Sequence, residues 1–208
     1  KINDSLIFLG PLYDLRTFDN YHLNGRLPDR PAEPRSPVIY RGELQYRRYG
    51  EAGAEDFCAC CFSGRSPNGT SVTWKTRWLD SPEARSLEAG GLVGYLDGKP
   101  VSAVEWFNLG RVNHCLVPDD AKSAFIICCY PGEGETDYRT PLLPRLREEL
   151  SQKDFKNAYL ISGRNSVYPN GPLPFFQALG FEIVKEMGRV YLTIGDAFED
   201  IFLLRMKL

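Results

Sequence analysis

The feature that most constrains the fold is a short apolar helix pattern that passes directly into a strand pattern. Phe175, Phe176 and Leu179 are one, three and four residues apart, so they can share one face of a helix. Gly180 follows, and it can adopt the left-handed conformation that ends a helix, which bulky residues adopt only at a cost. The apolar residues at 181–184 then predict a strand. This part of the chain is therefore expected to form a helix–strand unit.

The middle of the chain predicts a β-hairpin followed by a central strand. Residues 91–96 and 100–107 are apolar runs, and the sequence Asp-Gly-Lys at 97–99 separates them. Both Asp and Gly tolerate the positive φ angles of a tight hairpin turn. Residues 124–130 are apolar without polar alternation. Such a strand is expected to be buried on both faces at the centre of a sheet.

The other patterns complete the order of strands and helices from residue 38 onward. The expected order is a strand, two helices, three strands, a helix, a strand, a helix and two strands. Residues 187–189 are expected to form a turn between the last two strands, and residues 190–194 the final strand. The main domain is therefore predicted at residues 38–208.

Residues 1–37 differ from the rest and are expected to form an N-terminal extension. Prolines recur every third residue, at positions 28, 31, 34 and 37. A polyproline II helix has three residues per turn, so these prolines would line one edge of an extended segment. Two interpretations stay open, a semi-rigid connector on the domain surface and a ligand for an aromatic groove of another protein. We expect the connector.

The composition excludes several classes of function. The chain has 208 residues, 43% apolar and 25% charged, with a formal charge of −2. A charge so close to neutrality does not suggest nucleic-acid binding, which needs clustered cationic surface. No apolar run approaches the ~20 residues of a membrane helix, and the first residues lack the order of a signal peptide. We therefore expect no nucleic-acid partner and no membrane partner.

The six cysteines indicate a reducing, cytoplasmic location, because two adjacent pairs do not resemble a secreted disulfide framework. Cys58 and Cys61 have the spacing of a zinc or redox site. A structural zinc site needs four ligands, however, and His22 and His114 belong to no matching cluster. We expect no metal, and we interpret Cys58, Cys60 and Cys61 as small core residues of a helix.

Three segments together resemble the GCN5-related N-acetyltransferase (GNAT) superfamily. Residues 94–101 are similar to its G-x-x-D-G-x-x-V pair of strands, and residues 124–130 stand where the family has its central strand. Residues 175–181 are similar to its closing F-Y-x-x-x-G-F unit. The resemblance implies an α/β (α+β) fold with a mixed central sheet of about seven strands and about four flanking helices. It also implies acetyl-coenzyme A (acetyl-CoA) as co-substrate.

The resemblance assigns candidate residues for binding the pantetheine arm of acetyl-CoA. In the family, the central strand diverges from its neighbour, and the backbone groups exposed in the cleft bind this arm. Carried over by position, these groups are the backbones of Cys128, Cys129 and Tyr130.

The best match to the pyrophosphate loop of the family, R/Q-x-x-G-x-G/A, lies at residues 138–145 and departs from the pattern. Leu142 and Pro144 occupy the two small positions, so a side chain hinders phosphate approach and a backbone N–H donor is lost. The remaining backbone N–H donors and the cationic side chains of this stretch are the expected contacts of the pyrophosphate. They are Arg139, Thr140, Leu142, Leu143 and Arg145. The resemblance thus implies a cofactor site that is weakened, shifted or lost.

The candidate catalytic residues are Glu105 and Tyr168. In many members of the family, a tyrosine in the closing helix protonates the leaving thiolate, but Phe176 stands at that position here. Tyr168 in the preceding loop is the substitute candidate, with a surface or capping tyrosine as the alternative. An amine must lose a proton before it attacks, and Glu105 is the best-placed carboxylate. Its alternative is a solvated strand glutamate.

The resulting prediction is an N-acetyltransferase that moves an acetyl group from acetyl-CoA to a primary amine of a small molecule or peptide by direct attack. The candidate acceptor-binding residues are aromatic, with core packing as the alternative for the first two: Trp74, Trp78, Trp106 and Phe107. A catalytically inactive GNAT-like module that binds a ligand or protein is the second hypothesis. An interaction protein acting through the proline segment is the third. A homodimer is an open alternative to a monomer.

Overall fold

The computed structural model describes residues 44–60, 70–112, 117, 122–130, 136–165, 170–192 and 197–208. Several of the predictions concern residues outside these ranges. They are the extension at 1–37, Cys61, His114 and Tyr168.

The described part of the chain forms seven strands and five α-helices. The strands are β1 (Gln45–Arg48), β2 (Gly90–Leu96), β3 (Lys99–Asn108), β4 (Ser123–Tyr130), β5 (Asn157–Gly163), β6 (Glu182–Leu192) and β7 (Ala197–Lys207). The helices are α1 (Ala54–Cys60), α2 (Thr70–Leu79), α3 (Pro82–Ser86), α4 (Arg139–Gln152) and α5 (Leu173–Ala178). This confirms the predicted order, with α3 as an additional short helix. No helix in the described ranges is long and apolar enough to cross a membrane.

All seven strands belong to one mixed sheet in the order β1-β2-β3-β4-β5-β7-β6. β4 and β5 are parallel, whereas the other neighbouring pairs are antiparallel. β4 lies in the middle, and its residues Phe125 and Ile126 are buried on opposite faces. The prediction of a doubly buried central strand is confirmed. The turn between β2 and β3 is also confirmed, since Asp97 and Gly98 both have positive φ.

The end of the chain differs from the prediction. The expected turn at residues 187–189 is wrong, because β6 runs through it as one strand. Met187 is an extra residue between the pairs Glu186↔Phe202 and Gly188↔Ile201, and Gly188 has a φ of 107°. The glycine therefore marks a β-bulge, which needs the same backbone freedom as a turn. The last strand is β7, which lies between β5 and β6.

Helices cover both faces of the sheet. On one face, α4 and α5 bury leucine and phenylalanine side chains against β3, β4 and β5. On the other face, α1 packs Phe57 and Cys60 against Val93 and Ala103. Cys58 is buried as well, which agrees with the prediction of core cysteines. Both faces of β3 and β4 are therefore enclosed, and the candidate site forms where this enclosure is interrupted.

Candidate active site

The sheet opens between its two parallel strands. β4 and β5 pair from Ser123↔Asn157 to Ile126↔Leu160, and beyond this point they diverge. β4 continues to Tyr130 and β5 continues to Gly163. Since strand backbone groups must find hydrogen-bond partners, the split presents donors and acceptors to whatever fills it.

A β-bulge in β4 lies at the start of the split. Glu105 on β3 pairs with Cys128, whereas the next residue, Trp106, pairs with Ile126. Ile127 is therefore an extra residue in β4. A bulge bends the strand and increases its local twist, which accounts for the departure of β4 from β5.

Asn170 fills part of the split with its side chain, and sequence reasoning missed it. Its Oδ1 accepts a hydrogen bond from the Cys129 N–H at 2.8 Å. Its Nδ2 donates to the carbonyl oxygens of Ile127 at 3.1 Å and Ile161 at 3.3 Å. The residue is 3% exposed. Asn170 thus bridges β4 and β5, and the only sequence signal was a polar residue before Gly171 and the helix.

Glu105 lies on β3 opposite the bulge, buried and bound to a cation. Its side chain is 3% exposed, and Lys75 Nζ of α2 lies 2.7 Å from both carboxylate oxygens. The hydroxyl of Tyr49 also donates to Glu105 Oε1. The alternative of a solvated strand glutamate is therefore wrong. The carboxylate is held by two donors that come from outside its own strand.

Tyr49 is the second member of this network. Its pKa is raised well above the ordinary value, because the hydroxyl is removed from water and faces the Glu105 carboxylate. The phenol therefore stays protonated at neutral pH and acts as a donor to Glu105. The side chain of Trp78 lies close enough to the Tyr49 hydroxyl to act on it, and it partly opposes this rise in the pKa. Lys75 and Trp78 are three residues apart on α2, so one helix face supplies both contacts.

Gly91 gives Tyr49 access to Glu105. Gly91 pairs with Glu105 across the hairpin, and its carbonyl accepts the Tyr49 N–H at 3.2 Å. A Cβ at position 91 would lie 2.2 Å from the Tyr49 ring and 2.7 Å from the Phe57 ring. The Tyr49 ring thus crosses β2 through the space that a side chain at position 91 would fill.

The substitution Gly91→Ala is expected to destabilise the fold by about 1–3 kcal/mol, because the new methyl group overpacks the two rings. Urea denaturation measures the change. Combining it with Tyr49→Ala in a double-mutant cycle identifies the ring as the cause, since much of the penalty should then disappear. An unchanged free energy of unfolding in the single variant would contradict the close approach.

The arrangement of these elements matches solved structures. A protein from Desulfovibrio desulfuricans assigned to the GNAT acetyltransferase family superposes with a TM-score of 0.57 at 10% identity, covering 79% of this chain and 99% of its own. YncA from Salmonella typhimurium, assigned as an acetyltransferase and crystallised with its cofactor acetyl-CoA, gives 0.55 at 16% identity, covering 79% and 94%. An N-acetyltransferase from Staphylococcus aureus Mu50 gives 0.52 at 12% identity, covering 80% and 99%. This chain has the GNAT fold.

The GNAT fold confirms the predicted fold class, and the evidence for it is structural. A comparison with protein-family models gives no match, and neither does a sequence comparison with curated proteins. Glu105 lies on β3, and β3 is the neighbour of β4 in this sheet. The buried carboxylate is therefore one strand away from the split between β4 and β5.

The predicted pyrophosphate contacts at 138–145 are corrected by the structure. α4 begins at Arg139, so most of this stretch is helix and not loop. Within its first turn, Arg139 N donates to Asp137 Oδ1, Thr140 N to the Asp137 carbonyl and Leu142 N to the Tyr138 carbonyl. Leu143 and Arg145 lie deeper, where N–H groups bond to carbonyls of the helix itself. A carboxylate of the chain thus stands where a bound phosphate was expected.

Arg139 is also turned inward. Its side chain is 4% exposed and forms a bidentate ion pair with Asp137, with Nη2 and Oδ2 2.6 Å apart. Nη1 donates to the Gly171 carbonyl at 3.0 Å, and the guanidinium lies 4.1 Å from the centroid of the Phe175 ring. Its donors are therefore used to connect the start of α4 to the segment that carries Asn170.

The predicted aromatic acceptor site is only partly assembled. Trp74 is 49% exposed, so the core alternative is wrong for it, and Trp78 is half-buried beside Tyr49. Trp106 and Phe107 are buried in clusters on opposite faces of β3, because successive strand residues point to opposite sides. Both are core residues and line no shared surface.

In the described part of the chain, no group of His, Cys, Asp and Glu is placed to hold a metal ion.

Proposed function

We propose that this protein is an N-acetyltransferase that moves the acetyl group of acetyl-CoA to a primary amine of a small molecule or peptide. The observation that carries the proposal is the buried Glu105 carboxylate opposite the bulge at which β4 and β5 separate. The GNAT fold, shared with a protein crystallised with acetyl-CoA, supports it. The reaction is direct attack of the amine on the thioester.

The residues present fit the pantetheine part of acetyl-CoA better than its pyrophosphate. The backbones of Cys128, Cys129 and Tyr130 lie on the diverging part of β4, where the Cys129 N–H donates to the Asn170 side chain, so the pantetheine arm must displace this amide or bind beside it. In the first turn of α4, the N–H groups of Arg139, Thr140 and Leu142 already donate to oxygens of the chain, so they are not available to a phosphate. We therefore assign binding of the pantetheine arm to the split and none to Arg139 or to the first turn of α4.

In this proposal, Glu105 accepts the proton that the acceptor ammonium must lose before its nitrogen can attack. Tyr49 supports it by donating to Oε1, which fixes the direction of the carboxylate. Cys129, beside the bulge, takes no part as a nucleophile, because burial raises the pKa of its thiol to about 12. Tyr168 remains the proposed proton donor to the leaving thiolate, and Tyr168→Phe tests it.

A second candidate function is a GNAT-fold module that binds a ligand or protein without catalysis. The observation that favours it is the ion pair of Arg139 and Asp137 at the start of α4, which occupies the expected phosphate position. Phe176, buried in the core, is also unable to supply a proton. Under this hypothesis, the split in the sheet either binds no ligand or binds a ligand other than acetyl-CoA.

Calorimetric titration with acetyl-CoA, with desulfo-CoA as control, separates the two candidates. We expect micromolar binding followed by acetyl transfer to amines in a screen. S-acetylpantetheine, which lacks the nucleotide and the pyrophosphate, should bind within about tenfold of acetyl-CoA, a difference of ~1.4 kcal/mol. No heat and no thermal shift at millimolar acetyl-CoA would overturn the enzyme proposal and favour the module.

A further inference from the structure

We propose that Lys75 is itself an acceptor, so that the protein acetylates its own Lys75 side chain. The inference rests on the proposed function. Lys75 Nζ lies 2.7 Å from both oxygens of Glu105, the carboxylate to which that function assigns proton removal from the acceptor. A primary ammonium group of the chain thus already occupies the position in which an acceptor would be deprotonated.

The position of Glu105 in the sheet brings this ammonium close to the split. Its register partner is Cys128, which directly follows the extra residue of the β4 bulge. Partner residues on neighbouring antiparallel strands have Cα atoms only ~4.5–5.5 Å apart. Trp106, next to Glu105, packs on the face covered by α4 and α5, whereas Cys128 packs on the opposite face, the side to which Glu105 points and from which Lys75 approaches. A lysine has a flexible four-carbon stem, so its amine can leave the carboxylate and move toward the split.

Exposure distinguishes this reaction from spontaneous chemical acetylation. The Lys75 side chain is 20% exposed and its ammonium is bound to a buried carboxylate. The Lys156 side chain is 62% exposed. An uncatalysed reagent in water reaches the exposed amine more often, so it should modify Lys156 faster than Lys75. Faster acetylation of Lys75 than of Lys156 therefore requires catalysis by the protein groups around Lys75.

The Lys75 ammonium gives one proton to Glu105, and the freed nitrogen lone pair forms a bond to the thioester carbonyl carbon. The carbon–sulfur bond breaks, the sulfur leaves with the electron pair and is protonated, and the second proton of the attacking nitrogen replaces the proton that the sulfur has taken. Glu105 releases its proton to solvent. The products are Nε-acetyl-Lys75 and coenzyme A, and the charge of Lys75 is lost.

The test is incubation of the full chain with acetyl-CoA, followed by intact-mass and tryptic peptide analysis. Acetylation blocks cleavage after Lys75, so the peptide 66–75 is replaced by 66–77 carrying one acetyl group. We expect Lys75 to react at least about tenfold faster than Lys156 in the same sample, and Glu105→Gln to slow it about 100-fold. A rate independent of protein concentration identifies transfer within one molecule. Lys75→Arg keeps the positive charge and should remove this modification while acetyl-CoA still binds.

Other outcomes overturn the inference in separable ways. If acetyl-CoA binds and an added amine is acetylated while Lys75 reacts no faster than Lys156, self-acetylation is excluded and the proposed function stands. Unchanged Lys75 acetylation in Glu105→Gln also excludes it, because the carboxylate then plays no part. If the protein binds no acetyl-CoA, both proposals fail together.

Discussion

Replacing Arg139 by alanine is expected to destabilise the protein by about 3–5 kcal/mol, because the buried Asp137 carboxylate then loses the cation that compensates it. The two side chains are only 4% and 3% exposed. The variant also loses the hydrogen bond to the Gly171 carbonyl and the stacking on Phe175. Equilibrium denaturation in urea measures the change, and a partly unfolded variant at room temperature would agree with it.

Arg145→Ala is the matched control for this prediction. Arg145 lies on the same helix and is also paired with a carboxylate, that of Glu148, but the two side chains are 40% and 60% exposed. Exposed pairs contribute little, so this variant should lose no more than about 1 kcal/mol. If the two variants had the same free energy of unfolding, the buried ion pair of Arg139 would contribute no more to stability than the exposed pair of Arg145. A fold that survives Arg139→Ala with a selective loss of acetyl-CoA affinity would restore its role as a phosphate ligand.

The substitution Glu105→Gln is expected to lower kcat for acetyl transfer to an added amine by roughly 10²–10⁴-fold, since the amide cannot accept the proton of the ammonium group. Gln has nearly the same shape as Glu, and Lys75 is partly exposed, so its ammonium can turn to water. The fold and the affinity for acetyl-CoA should therefore persist. Steady-state kinetics and calorimetric titration on the same preparation measure the two effects separately.

Glu149→Gln is the matched control for Glu105→Gln. Glu149 on α4 is also a buried carboxylate, 5% exposed, and it binds Arg48 and Lys153. It lies outside the network of Tyr49 and Lys75, so its loss should lower stability and leave kcat unchanged. If both variants lost stability and neither lost activity, Glu105 would be an ion-pair residue of the core.

Much of the fold could be predicted because its signals are local. The Asp97-Gly98 turn, the apolar run of β4 and the helix stop at Gly180 each depend on a few neighbouring residues. The error at residues 187–189 has the same origin. A glycine with positive φ serves a turn and a bulge equally, and only the pairing of β6 with β7 distinguishes them.

The candidate site was harder to predict, because its contacts join residues that are far apart in the chain. Glu105 was found from its place on the strand, but its partners Tyr49 and Lys75 lie 56 and 30 residues away. Asn170 reaches Cys129 over 41 residues. Arg139 was identified as cationic and as lying near the start of a helix, yet sequence could not show that Asp137 and Gly171 take its donors.

The sequence by itself determined the order of the elements, the central position of β4 and the presence of a carboxylate at Glu105. These follow from periodicity and backbone freedom, which act between near neighbours. The tertiary structure alone decided which backbone groups remain open and which charges are neutralised. That depends on what packs against each group, since a buried polar atom binds whichever partner the fold brings to it. The split beside Glu105, bridged by Asn170, and the occupied helix start at Arg139 are both results of that packing.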